Sequence, residues 1–178
     1  MFRISAPTDY VFKVIVVGDG GCGKTALVVR FTQNLFKETY EMTIGVDFSI
    51  KRVEIGDYKV KLHVWDTAGQ EIFADVRPGH YKGAKGALCV FDLTSLESFD
   101  HVPEWIEEIK EYAGEIPIVL VGNKSDLSAR DVTPEEAETF AQQANLHYME
   151  TSAKTGDNVG DCFAILASLM LGIEPPGA

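Results

Sequence analysis

The sequence predicts an α/β fold in which a mostly parallel, six-stranded sheet is covered by helices on both faces. Three observations lead there. Six short runs rich in β-branched residues recur along the chain, and helical patterns separate most of them. Two of the runs are joined only by "GDY" (56–58), which demands an antiparallel hairpin at one edge. The length, 178 residues with 46% hydrophobic and 24% charged side chains, is that of one soluble domain with a proper core.

Taken in order, the first strand pattern is "VFKVIVV" (11–17), followed by a glycine-rich turn and a helix that begins at Lys24. "VDFSIKRVEI" (46–55) and "KVKLHVWD" (59–66) form the hairpin, and "ALCVFDL" (87–93) is a fourth, fully apolar strand. A helical pattern covers roughly 97–112 before the fifth strand, "IPIVLVG" (116–122). The next helix opens at "TPEEA": Thr133 caps it, Pro134 takes the first helical position and Glu136 completes a capping box. "LHYMET" (146–151) is the last strand, and a helix from about Asn158 to Leu171 ends the pattern. There is no internal repeat, linker or low-complexity tract, so residues 1–178 read as one domain with its core at about 10–172.

Composition narrows the function. No apolar run approaches the length of a membrane span and no charged-then-apolar leader opens the chain, which predicts a cytoplasmic protein. Cys22, Cys89 and Cys162 are odd in number and show no C-x-x-C spacing, against disulfides and zinc. The net charge of −11, from 16 basic and 27 acidic residues, opposes nucleic acid and anionic membranes as partners.

Open sheets of this kind bind ligands beyond the carboxyl ends of their strands. The loops after the first, third, fifth and sixth strand patterns read "GDGGCGKT", "DTAGQE", "GNKSD" and "TSAK", so the unusual chemistry falls on one rim. Gly18 and Gly23, with four residues between them, and then Lys24 and Thr25 fit G-x-x-x-x-G-K-[ST], whose backbone N–H groups wrap phosphate oxygens. Lys24 would neutralise β/γ-phosphate charge, the Thr25 hydroxyl would bind magnesium, and the helix would point its positive end at the phosphates. Cys22 is either a small residue filling the turn or an oxidation site at a helix N-terminus.

The other loops complete a nucleotide site. Asp66 suits an outer-sphere magnesium carboxylate, Gly69 can offer its N–H to a γ-phosphate, and Gln70 is placed to orient an attacking water. Thr43 would supply a second hydroxyl to the metal. In "NKSD" the carboxylate of Asp126 can accept two parallel N–H bonds, which guanine presents at N1 and N2 and adenine does not. Ala153 would offer a backbone N–H to guanine O6, while the stem of Lys124 and the ring of Phe36 would cover the base.

With these five motifs in order, the chain resembles a Ras-superfamily small GTPase from about Tyr10 to Leu171. "TIGVDF" (43–48) and "WDTAGQE" (65–71) are similar to the Rab group, whereas "GDGGCGKT", "VPEW" and "IPIVLVGNK" are also Ran-like, and "GCGKT" occurs in some Rho proteins. The mixture, with the short C-terminus, would suit an archaeal relative of these families. The resemblance implies a P-loop NTPase G domain with six strands and five helices, GTP or GDP as ligand and Mg2+ as cofactor. It adds Gly20, Gly21, Cys22, Ala26, Tyr40, Asn123, Leu127, Ser152 and Lys154 to the nucleotide-binding set. It also implies a monomer that meets an exchange factor, an activating protein and effectors through mobile segments within 35–48 and 65–82.

The chain departs from the Rab pattern at three places. Ile72, not a basic residue, follows "GQE"; the aromatic triad that meets effectors keeps Phe48 and Trp65 but has His80 third; and "MLGIEPPGA" holds no cysteine for a prenyl group. No glycine follows Met1 for myristoylation. The expectation is therefore a protein that reaches membranes only through partners or an absent tail. Two function classes fit: a GTP-hydrolysing switch, favoured by the intact Thr43, Gly69 and Gln70, and a catalytically weak scaffold that holds guanine nucleotide.

Overall fold

In a computed structural model, the structure describes residues 9–176, so the reading made at Met1 lies outside the described residues. The strands are β1 (Asp9–Val17), β2 (Val46–Ile55), β3 (Tyr58–Thr67), β4 (Gly86–Asp92), β5 (Ile118–Asn123) and β6 (His147–Glu150). They form one sheet in the order β2-β3-β1-β4-β5-β6, in which only β2 runs antiparallel to its neighbour. The hairpin turn is tighter than "GDY": Ile55 pairs with Tyr58 across two residues, and Gly56 takes φ 58 at the first of them, where a hairpin favours glycine.

The helices are α1 (Lys24–Gln33), α2 (Arg77–Tyr81), α3 (Leu96–Asp100), α4 (Val102–Ala113), α5 (Pro134–Gln143) and α6 (Val159–Leu171), with a 3-10 turn at Glu71–Phe73. The single helix expected over 97–112 is thus two pieces meeting at His101. Pro103 explains the break, because it has no N–H to donate and its ring crowds the carbonyl four residues back. Counted as one broken helix, α3 and α4 bring the total to the expected five. Ser95 caps the first piece by accepting from the Ser98 N–H at 3.2 Å. The capping box of α5 forms as read, Thr133 and Glu136 bonding each other's backbone N–H.

Strand alternation sorts the core into two layers. Val14 and Val16 of β1 face α1 and α6, packing with Leu27, Phe163 and Leu166. Ile15 and Val17 face the other way, toward Tyr81 of α2, Ile109 of α4 and Ala137 of α5. This double burial is why the central strands read as unbroken apolar runs. Phe163 of α6 lies flat against Phe31 of α1, ring centroids 3.8 Å apart and planes 4° from parallel. Phe163→Ala should therefore destabilise the fold by about 3–5 kcal/mol, read as a lowered midpoint in urea unfolding.

Candidate functional site

The rim begins where β1 ends. Gly23 opens α1 with φ 90, and a Cβ there would stand 2.4 Å from the Asn123 amide nitrogen, so the position accepts only glycine. Asn123, the buried last residue of β5, donates to the Cys22 carbonyl at 3.1 Å and accepts from the Thr151 hydroxyl at 3.0 Å. Lys124 follows with φ 69, donates to the Gly21 carbonyl at 2.9 Å and pairs with Asp92 at 2.7 Å. Lys24 donates to the Asp19 carbonyl at 2.9 Å. Three loop carbonyls are thus occupied by donors on one side, which leaves the loop's N–H groups for an anion on the other.

Thr25, Thr43 and Asp66 converge as the sequence predicts. The Thr25 hydroxyl donates to Asp66 Oδ2 at 2.6 Å and stands 2.8 Å from the Thr43 hydroxyl, which is itself 3.4 Å from Oδ2. Asp66 is 2% exposed, its Oδ1 has no hydrogen-bond partner, and burial raises its carboxyl above the ordinary range. A buried, unpartnered carboxylate oxygen beside two hydroxyl oxygens fits a hard divalent cation. Gly69 presses on the phosphate loop so closely that a Cβ would come within 2.1 Å of the Gly18 carbonyl oxygen. The Gln70 side chain lies over Gly20, whose own Cβ would meet its Cγ at 3.1 Å.

A cavity of about 420 Å³ unites much of this set. Gly20, Gly21, Gly23, Lys24, Thr25, Ala26, Phe36, Tyr40, Thr43, Gly69, Gln70 and Lys124 all line it. Phe36 and Tyr40, both in its wall, stand with ring centroids 6.1 Å apart. Cys22 is not among the walls: it is buried beneath the loop, its thiol donates to the Val90 carbonyl at 3.5 Å, and burial pushes its pKa up. Burial at 1% exposure is what the filler reading of Cys22 requires, whereas oxidation needs an accessible thiolate.

The residues expected to recognise the base lie on the adjoining loops. Asp126 is exposed and accepts from the Ser152 hydroxyl at 2.8 Å, tying the loop after β5 to the one after β6. Arg30 of α1 reaches the same place, donating to the carbonyls of Ala153 at 2.8 Å and Lys154 at 2.6 Å. Leu127 is exposed beside them.

A second group of residues escaped the sequence reading. Asp19, inside the phosphate loop, is gripped from α4: His101 Nδ1 is 2.6 Å from its Oδ2, and the Trp105 indole N–H donates to its Oδ1 at 2.8 Å. Buried Arg77 stacks over the Trp105 ring at 4.6 Å, makes a two-pronged bond to Glu108 at 3.1 and 3.2 Å, and donates to the Gln70 carbonyl at 2.9 Å. A cavity of about 630 Å³ is lined by both this network and the phosphate loop. One signal was available: His101 and Trp105 are four apart and so share a helix face. Nothing local marks Asp19 as their partner.

A family model described as the Ras family matches residues 13–171. The Ras-related protein Rab-1 of Theileria parva is 47% identical over 165 residues, which cover 91% of this chain and 75% of that protein. The Ras-related protein Rab-30 of Homo sapiens is also 47% identical over 165 residues, 92% of this chain and 81% of its own length.

The Asp19 grip is pH-dependent. Its hydrogen bond and its charge raise the His101 pKa above the ordinary 6.5, so the ion pair is fully present below about that pH and is lost as pH rises through the raised value. In an NMR titration the His101 ring should titrate above its ordinary value and return to it in Asp19→Asn; equal values in both proteins would show that the contact does not hold in solution.

Proposed function

The chain belongs to the Ras family and is a small GTPase, and from that premise we propose that its rim works as a Rab-like switch through the residues the sequence singles out. The observation that carries the reading is the meeting of Thr25 and Thr43, at the wall of the cavity that the phosphate loop lines, with the buried carboxylate of Asp66. The phosphate loop, Gly18 to Thr25, binds the phosphate chain through its N–H groups, with Lys24 supplying positive charge. Thr25 and Thr43 would hold Mg2+ directly and Asp66 would hold it from the outer sphere, and the metal would supply positive charge against that of the phosphate chain.

Thr43 and Gly69 lie on segments that can move, so their engagement with a γ-phosphate would distinguish the GTP form from the GDP form. Gln70 orients the attacking water, its backbone steadied by Arg77. Asp126, steadied by Ser152, selects guanine, and the Ala153 N–H and the stem of Lys124 complete the base site. No arginine precedes Thr43 in "KETYEM", so fast turnover requires a charge supplied in trans by an activating protein, worth about 10³–10⁵ in rate. Exposed Ile44 (79%) and Ile72 (81%), with Phe48 edge-on to Trp65, give the 35–48 and 65–82 segments an apolar face for effectors. His80 lies 6.1 Å from Trp65 in the third place. Among the described residues no helix is long and apolar enough to cross a membrane, and the likeness to Rab-1 and Rab-30 supports a switch in membrane traffic that meets the membrane peripherally.

Two experiments test this reading. Chelation by EDTA should speed release of a fluorescent GDP by roughly tenfold or more, and Asp126→Asn should move preference from guanine toward xanthine nucleotides; unchanged release would remove the metal assignment. Gln70→Leu should slow single-turnover GTP hydrolysis by roughly tenfold while leaving nucleotide affinity intact, and a wild-type rate would take Gln70 out of the mechanism.

A further inference from the structure

Most carbonyls of the loop after β6 find backbone partners. The Thr151 carbonyl accepts from the Ser125 N–H at 3.0 Å, and that of Ser152 from the Gly156 N–H at 2.8 Å. The Asp157 carbonyl accepts from the Ser152 N–H at 3.1 Å. The carbonyls of Ala153 and Lys154 are held differently. Both are taken by the guanidinium of Arg30, through Nε at 2.8 Å and Nη2 at 2.6 Å. These contacts span 123 and 124 residues, so nothing in the local sequence of α1 or of the loop calls for them.

A basic residue in the last turn of a helix ordinarily serves the carbonyls and the dipole of that helix. Arg30 does lie in the last turn of α1, and its Nη1 reaches the side-chain oxygen of Asn34, which ends the helix, at 3.3 Å. Its two shorter bonds leave the helix altogether. Among the described residues Arg30 forms no ion pair, so in a chain of net charge −11 its cation is directed at two carbonyls and not at a carboxylate. A planar guanidinium can hold two successive carbonyls in one fixed geometry; the ammonium of a lysine, a single point of charge, cannot.

Two peptide groups flank Ala153. The carbonyl of the first, that of Ser152, is held by Gly156, and the carbonyl of the second, that of Ala153 itself, is held by Arg30. Because a peptide group is planar, fixing both carbonyls fixes the direction of the Ala153 N–H between them. Among the described residues no acceptor takes that N–H, although Ala153 is buried, where an unpaired donor is costly. We propose that Arg30 is the positioning residue that holds the Ala153 N–H toward O6 of guanine, leaving N1 and N2 to Asp126. The assignment rests on the guanine-nucleotide reading of the site given above. It divides recognition of the base between two supports, the Ser152 hydroxyl beneath Asp126 and the Arg30 guanidinium beneath Ala153. It also ties base to phosphate, since Arg30 stands six residues after Lys24 on one rigid helix, roughly 9 Å at the usual rise.

The test compares three diphosphates on the whole chain. 6-Thio-GDP replaces only the O6 acceptor, with a weaker sulfur, and IDP lacks only the N2 amino group. Wild-type protein should prefer GDP over each of them by about tenfold or more. In Arg30→Lys, which keeps the charge and loses the fork, GDP affinity should fall by about tenfold and 6-thio-GDP affinity by at most about twofold. The preference for GDP over IDP should stay within about twofold of the wild-type value, because Asp126 and Ser152 are untouched. Arg30→Ala should show the same split, and either variant should melt no more than about 4 °C below wild type. A measurement on the unaltered chain stands beside the variants. In isotope-labelled protein, exchanging GDP for 6-thio-GDP should shift the Ala153 amide and Arg30 Nε–H signals together, whereas exchanging GDP for IDP should leave the Arg30 signal in place.

Equal losses of affinity for all three diphosphates in Arg30→Lys would overturn the proposal, since a merely structural role lowers every affinity alike. So would a GDP affinity equal to that of wild type, or an Arg30 signal that responds alike to 6-thio-GDP and IDP. None of these results touches the guanine reading itself. That reading falls only if the wild-type chain binds ADP as tightly as GDP, and the assignment of Arg30 then falls with it.

Discussion

The Asn123 amide is the point on which the rim depends. It is buried, so each of its polar atoms left without a partner would destabilise the fold by about 1–3 kcal/mol. Its donor is satisfied by Cys22 of the phosphate loop and its acceptor by Thr151 of the loop after β6. One side chain at the end of β5 thereby fixes the relative height of three loops. The orientation of the phosphate loop follows, since its carbonyls are drawn toward Asn123, Lys124 and Lys24 and its N–H groups are left to face the cavity.

That brace works because of the strand order. β1 lies between β3 and β4, with β5 beyond, so the carboxyl ends of the parallel strands rise to one rim and their loops meet. Thr25, at the start of a helix, and Asp66, at the end of β3, are brought within 2.6 Å by this arrangement alone.

Coupling between the nucleotide site and the helical layer runs through unlike chemistries in contact. Arg77 touches the Gln70 carbonyl, the Glu108 carboxylate and the Trp105 ring, and Trp105 in turn bonds Asp19 of the phosphate loop. The segment that carries Gln70 and the loop it lies over are therefore anchored on the same turns of α4. Tyr81 joins the anchor, donating to Glu108 at 2.5 Å, which together with burial holds its hydroxyl protonated. A shift of α4 would be felt at both places.

The sequence by itself determined the features that depend on near neighbours. The strand periods, the Thr133 capping box, the hairpin and the glycine, lysine and threonine spacing of the phosphate loop are all set within a few residues, and they appear in the structure as read. Even the break at Pro103 has a local cause, although a continuous apolar pattern concealed it. The members of the site were legible as loop motifs, but the tertiary structure decided how they meet: that Asn123 braces Cys22 across 101 residues, that His101 grips Asp19 across 82, and that Arg77 is buried against α4. It also decided that Arg30 holds the Ala153 carbonyl across 123 residues. Local spacing constrains backbone conformation, whereas pairing between distant side chains exists only after the order and register of the strands have placed them, and that order is a property of the packed sheet as a whole.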